Sequence, residues 1–245
     1  MSAPSWAAPA VGRAARAAAL AARAARSAKH RAYVGLTAAE HVVASARWRA
    51  SPGCVALTFD DGPHPGSTDL VLDVLGELGV RATFFCTGAN ARAHPGLLRR
   101  IAAEGHAVGS HSRTHPTPNE LGARVLADEY LGGHAEVEQA LGAPVTLFRP
   151  PHGQLTPASS LLLRTRRMPP WLWTVDPRDW VPGTTAAHVA AVGSSARSGD
   201  VVLMHDWVEQ PEAPEALDRS ATIAALPAIV RSLRSAGLTL GRLPA

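Results

Sequence analysis

CVALTFDDGPHP, residues 54–65, begins as an apolar run of β-prone residues and ends in two adjacent carboxylates followed by Gly-Pro. A short apolar run of this kind between turn residues is typical of a buried strand, which we predict over Cys54 to Phe59. Asp60 and Asp61 then lie at the carboxyl end of that strand. Active sites of parallel α/β folds form at this edge, so the stretch indicates both a fold class and a site.

The same alternation of strand and helix patterns continues along the chain. Further predicted strands span residues 82–86, 106–110, 144–148, 171–175, 200–204 and 238–240. Apolar residues at helical spacing occur around residues 70–78, 97–101, 161–163, 189–192 and 223–233. Because each crossover between parallel strands needs a helix, this order indicates parallel pairing. The pattern predicts an α/β fold, either a barrel or an open doubly wound sheet.

The first 50 of the 245 residues differ in composition from the rest. They alternate Ala with Arg and carry eight basic residues and one acidic residue, a net charge of +7. The other 16 basic and 19 acidic residues leave residues 51–245 at −3. We predict a helical or disordered extension over residues 1–50, with a helix within residues 12–32, and one folded domain over residues 51–245. The acidic body has no basic stripe, which argues against a nucleic-acid partner.

The apolar runs and the cysteines give further expectations. No run reaches the roughly 18 apolar residues of a membrane span, so no transmembrane segment is predicted. The Ala/Arg stretch lacks the apolar core of a secretory signal, and a cytoplasmic location is expected, with secretion or organellar targeting as alternatives. Cys54 and Cys86 would lie at opposite ends of neighbouring strands, beyond disulfide reach, so two free thiols are predicted.

Polar residues follow the predicted strands at their carboxyl ends. The set comprises Asp60, Asp61, His111, His115, Arg149, Asp176, Asp179, Trp180, His205 and Asp206. The spacing His111-x-x-x-His115 places two imidazoles on one face of a helix or turn, and a nearby carboxylate would complete a divalent-metal site. Surface histidines often show this spacing without a metal, but the neighbouring Asp-Asp-Gly-Pro favours the metal interpretation.

Two more positions bear on the chemistry. Arg149 precedes two prolines, and its guanidinium either clamps a site carboxylate or pairs structurally with Asp176 or Asp179. His205 follows an apolar strand and can protonate a leaving nitrogen if a carboxylate such as Asp179 keeps it cationic; otherwise it is a packed core histidine. The Pro-rich acidic stretch EQPEAPEAL, residues 209–217, is interpreted as a solvated loop that can shape the cleft.

Five segments resemble, in order, the five motifs of the NodB-type polysaccharide deacetylases, carbohydrate esterase family 4. They are TFDDGPHP at 58–65, SHSRTHP at 110–116, RPPHG at 149–153, DPRDW at 176–180 and VVLMHD at 201–206. The resemblance spans about residues 53–240. It implies a distorted (β/α)7 barrel, a catalytic domain over residues 51–245, and metal-dependent removal of N-acetyl or O-acetyl groups from sugars.

The resemblance also implies a role for each matching residue. Asp61, His111 and His115 would bind one divalent ion, with zinc expected and cobalt or nickel as alternatives. Asp60 would be the general base, oriented by Arg149. His205 would be the general acid, tuned by Asp179, and Leu203 would line the pocket for the acetyl methyl group.

His152 departs from the family pattern, which usually has Tyr at this position. The oxyanion donor there is a backbone N–H, so His is tolerated and altered substrate preference is expected rather than inactivity. Trp180 and Trp207 lie near the expected rim and are candidates to stack on sugar rings, although tryptophans beside strands more often pack in a core.

The leading hypothesis is a deacetylase of a small N-acetylated glycan or glycoconjugate. Metal-dependent hydrolysis of a non-carbohydrate amide or imide is the main alternative, and His152 is the feature that points to it. A non-catalytic glycan-binding module is a weaker alternative, because every candidate acid, base and ligand is present. Adjacent aspartates with histidine ligands match a glycosidase poorly.

Overall fold

The computed structural model describes residues 38–244. The described helices are α1 (Ala38–Ala44), α2 (Thr68–Leu78), α3 (Gly88–Ala93), α4 (Pro95–Ala103), α5 (Ala123–Leu141), α6 (Pro157–Thr165), α7 (Ala186–Gly193) and α8 (Ser220–Ser235). The described strands are β1 (Cys54–Asp60), β2 (Thr83–Cys86), β3 (Ala107–Ser110), β4 (Leu147–Phe148), β5 (Val201–His205) and β6 (Thr239–Gly241). None of the helices in this range is long and apolar enough to cross a membrane.

The strands form one parallel sheet in the order β4-β3-β2-β1-β5, with β6 beside the first residues of β1. Residues 170–175 close the sheet into a ring. On one side Trp171 N donates to Phe148 O at 2.8 Å, and on the other Leu203 N donates to Val175 O at 2.9 Å. The α/β class and the distorted barrel are therefore confirmed, and the open-sheet alternative is excluded.

The prediction of a strand over residues 171–175 is wrong. Among the described residues, this region forms three isolated parallel bridges and no continuous ladder: Phe148 with Pro170, Arg47 with Trp171, and Val175 with Val202. Pro169 and Pro170 precede the segment and Pro177 follows it. Proline has no N–H to give to a ladder, so regular pairing cannot extend through either end. The segment closes the barrel as an irregular connection.

Alternate residues of the strands pack on opposite sides of the sheet, as the period of two in a β-strand requires. In β1, the buried side chains of Val55, Leu57 and Phe59 belong to the core shared with the helices. The other face encloses a smaller core inside the barrel, formed by Ala56, Phe85, Ala107, Leu147, Trp171, Val201 and Leu243. Asp60 is four residues after Ala56, so the alternation of side chains along β1 puts both on the interior side, with Asp60 at the carboxyl end of the strand.

Residues 38–50 are the described part of the predicted N-terminal extension, and they contact the barrel. Helix α1 packs against α6, and Ala44 is buried. Farther along, Arg47 N donates to Pro170 O at 2.8 Å and Ala50 N donates to Gly199 O at 2.8 Å. The helix expected within residues 12–32 lies outside the described residues.

The two cysteines are free, as predicted. Cys54 begins β1 and Cys86 ends β2, and the parallel register pairs Thr58 with Thr83. The two thiols therefore lie toward opposite ends of neighbouring strands.

The apolar pattern of the sequence missed α5, the 19-residue helix Ala123–Leu141. Gly132 and Gly133 interrupt its apolar pattern and have low helix propensity. In the structure Gly133 packs directly against the loop that follows β3, where an added Cβ would lie 2.2 Å from Ser112 C. The close approach of helix and loop explains the glycine, and that loop carries His111 and His115.

We expect Gly133→Ala to lower the free energy of unfolding by about 1–3 kcal/mol, because the new methyl group would displace the backbone of the loop. Gly76→Ala is the matched control, since a Cβ at this exposed position of α2 meets nothing within 4 Å. It should raise the free energy of unfolding by about 0.5–1 kcal/mol through helix propensity. Urea unfolding measures both variants, and stabilisation by Gly133→Ala would contradict the packing argument.

Candidate active site

The predicted site residues converge at the carboxyl ends of the strands. Asp60 ends β1 and His205 ends β5, and the parallel register makes these two residues direct neighbours. His111 and Arg149 directly follow β3 and β4. The barrel thus brings together four segments that are distant in sequence.

Asp61, His111 and His115 form a candidate metal-binding triad. Asp61 Oδ1 lies 3.4 Å from His111 Nε2 and 3.5 Å from His115 Nε2. One ligand atom from each residue falls within 4.8 Å of the others. The other nitrogen of His111, Nδ1, hydrogen-bonds Arg149 O at 2.7 Å, which fixes the ring orientation as metal-ligating histidines require.

The electrostatics of the triad suit a cation. Asp61 Oδ1 is buried and has no hydrogen-bond partner within residues 38–244. Burial lowers the pKa of His111 well below its usual value and that of His115 to about 4, so both imidazoles are neutral and present a lone pair at pH 7. A buried unpaired carboxylate oxygen facing two neutral imidazoles matches the donor set of a divalent metal site.

Three site residues hold backbone conformations that L-residues rarely adopt. Asp61 has φ of 79°, His115 of 58° and His152 of 56°. Such conformations cost free energy and persist where surrounding contacts fix them. For Asp61 one such contact is the hydrogen bond from its N–H to Phe85 O at 3.1 Å. The turn at Asp61 directs its carboxylate toward the histidines, whereas Asp60 lies against Arg149.

Arg149 is fully buried and bonds to Asp60. Its Nη1 donates to Asp60 Oδ1 at 2.6 Å and to Thr58 Oγ1 at 2.9 Å, while Nε donates to Trp171 O at 3.1 Å. The guanidinium lies over the Phe85 ring, 4.1 Å from its centroid. Arg149 therefore clamps a site carboxylate, and the alternative pairing with Asp176 or Asp179 is not the arrangement found.

Burial raises the pKa of Asp60 above its ordinary value, and the charge of Arg149 opposes that rise. Because Arg149 occupies Oδ1, Oδ2 is the oxygen left toward the triad, 3.6 Å from His111 Nε2. Asp60 is thus a carboxyl group of raised basicity with one oxygen directed at the candidate metal centre.

His205 and Asp179 form a hydrogen-bonded ion pair. His205 Nδ1 lies 2.8 Å from Asp179 Oδ1, and the His205 backbone N–H donates to Asp179 Oδ2 at 2.9 Å. Burial would lower the pKa of His205, but Asp179 outweighs it and raises that pKa to about 9. His205 is therefore cationic at pH 7, and Nε2 is its remaining proton donor.

Two residues that the sequence analysis missed support Asp179. Thr222 Oγ1 donates to Asp179 Oδ2 at 2.8 Å, and Arg219 Nη1 lies 3.7 Å from the same oxygen. Burial alone would raise the pKa of Asp179, but His205, Arg219 and Thr222 keep it below its usual value. Arg219 and Thr222 lie at the start of α8, about 40 residues along the chain, where no local pattern distinguishes them.

Four further predicted residues lie around this centre. Leu203 is buried in β5. His152 is exposed, and its ring packs edge-on against His115 with centroids 4.5 Å apart. Trp180 and Trp207 are both half-buried. The Trp207 ring stacks on the His64 ring with centroids 3.5 Å apart, so one face of the Trp207 ring is already covered.

Comparison with known proteins identifies relatives of this arrangement. A family model described as polysaccharide deacetylase matches residues 48–167. The chain is 38% identical over 193 residues to a chitooligosaccharide deacetylase of Sinorhizobium fredii, covering 78% of this chain and 90% of that protein. It is 35% identical over 185 residues to a peptidoglycan-N-acetylglucosamine deacetylase of Bacillus cereus, covering 75% and 83%.

Solved structures agree with the sequence relatives. A family 4 carbohydrate esterase from Streptomyces lividans, in complex with acetate, superposes with a TM-score of 0.67 at 34% identity, covering 78% of this chain and 93% of that one. The fold, the ordered motifs and the relatives lead to one conclusion. This chain belongs to the polysaccharide deacetylase family, carbohydrate esterase family 4, and is a hydrolase.

Proposed function

We propose that the chain is a metal-dependent deacetylase that removes N-acetyl groups, or alternatively O-acetyl groups, from a small N-acetylated glycan or glycoconjugate. The observation that carries the proposal is the buried Asp61 Oδ1, which has no hydrogen-bond partner in the described part of the chain and faces two neutral histidines, with Asp60 on one side and cationic His205 nearby. The named substrates of the relatives, chitooligosaccharide and peptidoglycan N-acetylglucosamine, support the substrate class.

Asp61, His111 and His115 would hold one divalent ion. Two imidazoles and a carboxylate suit zinc, and cobalt or nickel accept the same donors. Such an ion, when bound, supplies Lewis-acid polarisation of the acetyl carbonyl and acidifies a water molecule.

Asp60 accepts the proton of the attacking water in this proposal. Its Oδ2 is directed toward the triad because Arg149 holds Oδ1, and burial gives the carboxylate a higher proton affinity than it has in water. Arg149 keeps the base oriented and helps to keep it ionised. The base is thereby fixed before substrate arrives.

His205 donates a proton to the departing amine. The Asp179 pair holds Nδ1 and keeps the ring cationic, so Nε2 carries the proton to be transferred. The nitrogen must gain a proton as the C–N bond breaks, because otherwise it would leave as a strongly basic anion. This step therefore needs an acid as well as a base. The paired register positions of Asp60 and His205 on adjacent strands support this division into base and acid.

Substrate contacts complete the proposal. Leu203 would line the pocket for the acetyl methyl group, and the His152 backbone N–H would donate to the oxyanion. Trp180 and the uncovered face of Trp207 would contact sugar rings.

Acetate release from an N-acetylglucosamine oligomer series tests the function. The purified protein should release acetate, lose activity on chelation, and regain it with zinc or cobalt. The series also ranks chain lengths. Absence of release from zinc-loaded protein would contradict the sugar substrate and direct attention to other amides.

We expect Asp60→Asn to retain zinc and to lower kcat about 10²–10⁴-fold, because the proton acceptor is lost while the triad is intact. His111→Ala should lose both zinc and activity. His188→Ala, at an exposed helix position, should change neither. Zinc content by elemental analysis and initial rates measure all three, and full activity in Asp60→Asn or His111→Ala would contradict the assigned roles.

The alkaline limb of kcat/KM should reflect loss of the His205 proton, with activity falling as pH rises through about 9. Asp179→Asn removes the negative charge that raises this pKa, so the alkaline limb should move to lower pH by more than one unit. Thr222→Val keeps that charge and removes only one hydrogen bond to Asp179, so its shift should be smaller. An alkaline limb unchanged in Asp179→Asn would refute the assignment of His205 as the acid.

A further inference from the structure

Asp61 is fixed by hydrogen bonds at nearly every polar atom it has. Its N–H donates to Phe85 O, and its carbonyl oxygen accepts from Asn90 Nδ2 at 2.8 Å. Its carboxylate Oδ2 accepts the backbone N–H of Glu209 at 2.8 Å. Of the polar atoms of Asp61, only Oδ1 has no hydrogen-bond partner within residues 38–244, and it is the carboxylate oxygen that faces His111 and His115.

Asn90 and Glu209 hold each other as well as Asp61. The Asn90 Nδ2 that binds the Asp61 carbonyl also donates to Glu209 Oε2 at 2.9 Å. Asn90 lies in α3 and Glu209 follows β5, so the pair joins two segments across Asp61. Glu209 is half-buried here, which differs from the solvated loop expected for residues 209–217.

The next residue along that loop contacts the segment that carries the other two candidate ligands. Gln210 Nε2 donates to Thr114 O at 2.8 Å, directly before His115. The segment after β5 therefore bonds to Asp61 and to the histidine-bearing loop at consecutive residues. This arrangement can set the spacing between the carboxylate and the imidazoles.

We propose that Asn90 and Glu209 are positioning residues of the metal centre, forming a brace that leaves Asp61 only Oδ1 for the ion. The inference rests on the proposed function, since it concerns the same triad. With Oδ2 held by the Glu209 N–H and the left-handed backbone of Asp61 held by Asn90, the carboxylate cannot rotate to offer both oxygens. The brace sets metal affinity by reducing the reorganisation that binding requires. Partners of this kind behind a metal ligand typically affect metal affinity 10–100-fold.

The test is the zinc dissociation constant of metal-free protein, measured by competition with a chromophoric chelator, together with the cobalt absorption spectrum. Asn90→Ala should bind zinc about 10–100-fold more weakly and alter the cobalt spectrum, with no change in charge. Asn119→Ala is the control, because Asn119 is exposed and bonds only to Gln154 among its side-chain hydrogen bonds within residues 38–244. A merely structural role for Asn90 would lower the urea midpoint of the metal-free protein and leave the zinc dissociation constant unchanged.

A second pair of variants separates hydrogen bonding from charge. Glu209→Ala and Glu209→Gln lose the same negative charge, but only Gln keeps an acceptor for Asn90. We expect Glu209→Ala to bind zinc more weakly than Glu209→Gln. This pair also tests the positioning role of Asn90 and Glu209 if Asn90→Ala fails to fold.

The outcomes distinguish the two proposals. Wild-type protein that binds neither zinc nor cobalt would overturn the proposed function and the brace together. Wild-type binding with unchanged affinity in Asn90→Ala, or with equal affinities in Glu209→Ala and Glu209→Gln, would overturn the brace and leave the proposed function standing.

Discussion

The buried ion pair between Arg149 and Asp60 is the interaction on which the site depends. Arg149 is completely buried, and its side chain bonds to Asp60 and Thr58 on β1 and to the carbonyl of Trp171 in the segment that closes the barrel. Its own carbonyl accepts from His111. Removing one partner of a buried pair typically costs about 3–5 kcal/mol, because the other charge stays unpaired. One residue thus connects the proposed base, a candidate metal ligand and the segment that closes the barrel.

The surroundings of the other ionisable groups keep His205 protonated and keep the two histidines of the triad neutral. Asp179 is stabilised as an anion by three donors and in turn keeps His205 cationic. Within residues 38–244, the carboxylate oxygens nearest to His111 and His115 lie at 3.4–3.6 Å, beyond the 2.8 Å of the His205–Asp179 bond, and burial keeps these two histidines neutral. The imidazoles of His205, His111 and His115 therefore divide into one cationic ring and two neutral rings. Environment, and not residue type, makes that division.

The fold creates this environment through the pairing register of β1 with β5 and through the alternation of side chains along β1. The parallel alignment of β1 with β5 sets Asp60 beside His205, and alternation along β1 directs Asp60 inward on the same side as Ala56. Gly133 lets α5 approach the loop that bears both histidines. The triad is therefore positioned by α5, by the end of β1 and by the loop after β3.

The sequence by itself determined the fold class, most strand positions, the free thiols and the residues that gather at the strand ends. These follow from local patterns, since apolar runs and turn residues report strands, and polar residues directly after them report the active edge. The irregular segment 171–175, the helix α5 and the contacts of Asn90, Glu209, Arg219 and Thr222 were decided by the tertiary structure alone. Asn90 and Glu209 are 119 residues apart, and Glu209 and Asp61 are 148 apart. Hydrogen bonds across such separations have no periodicity along the chain, so only the closed barrel brings those atoms within bonding distance.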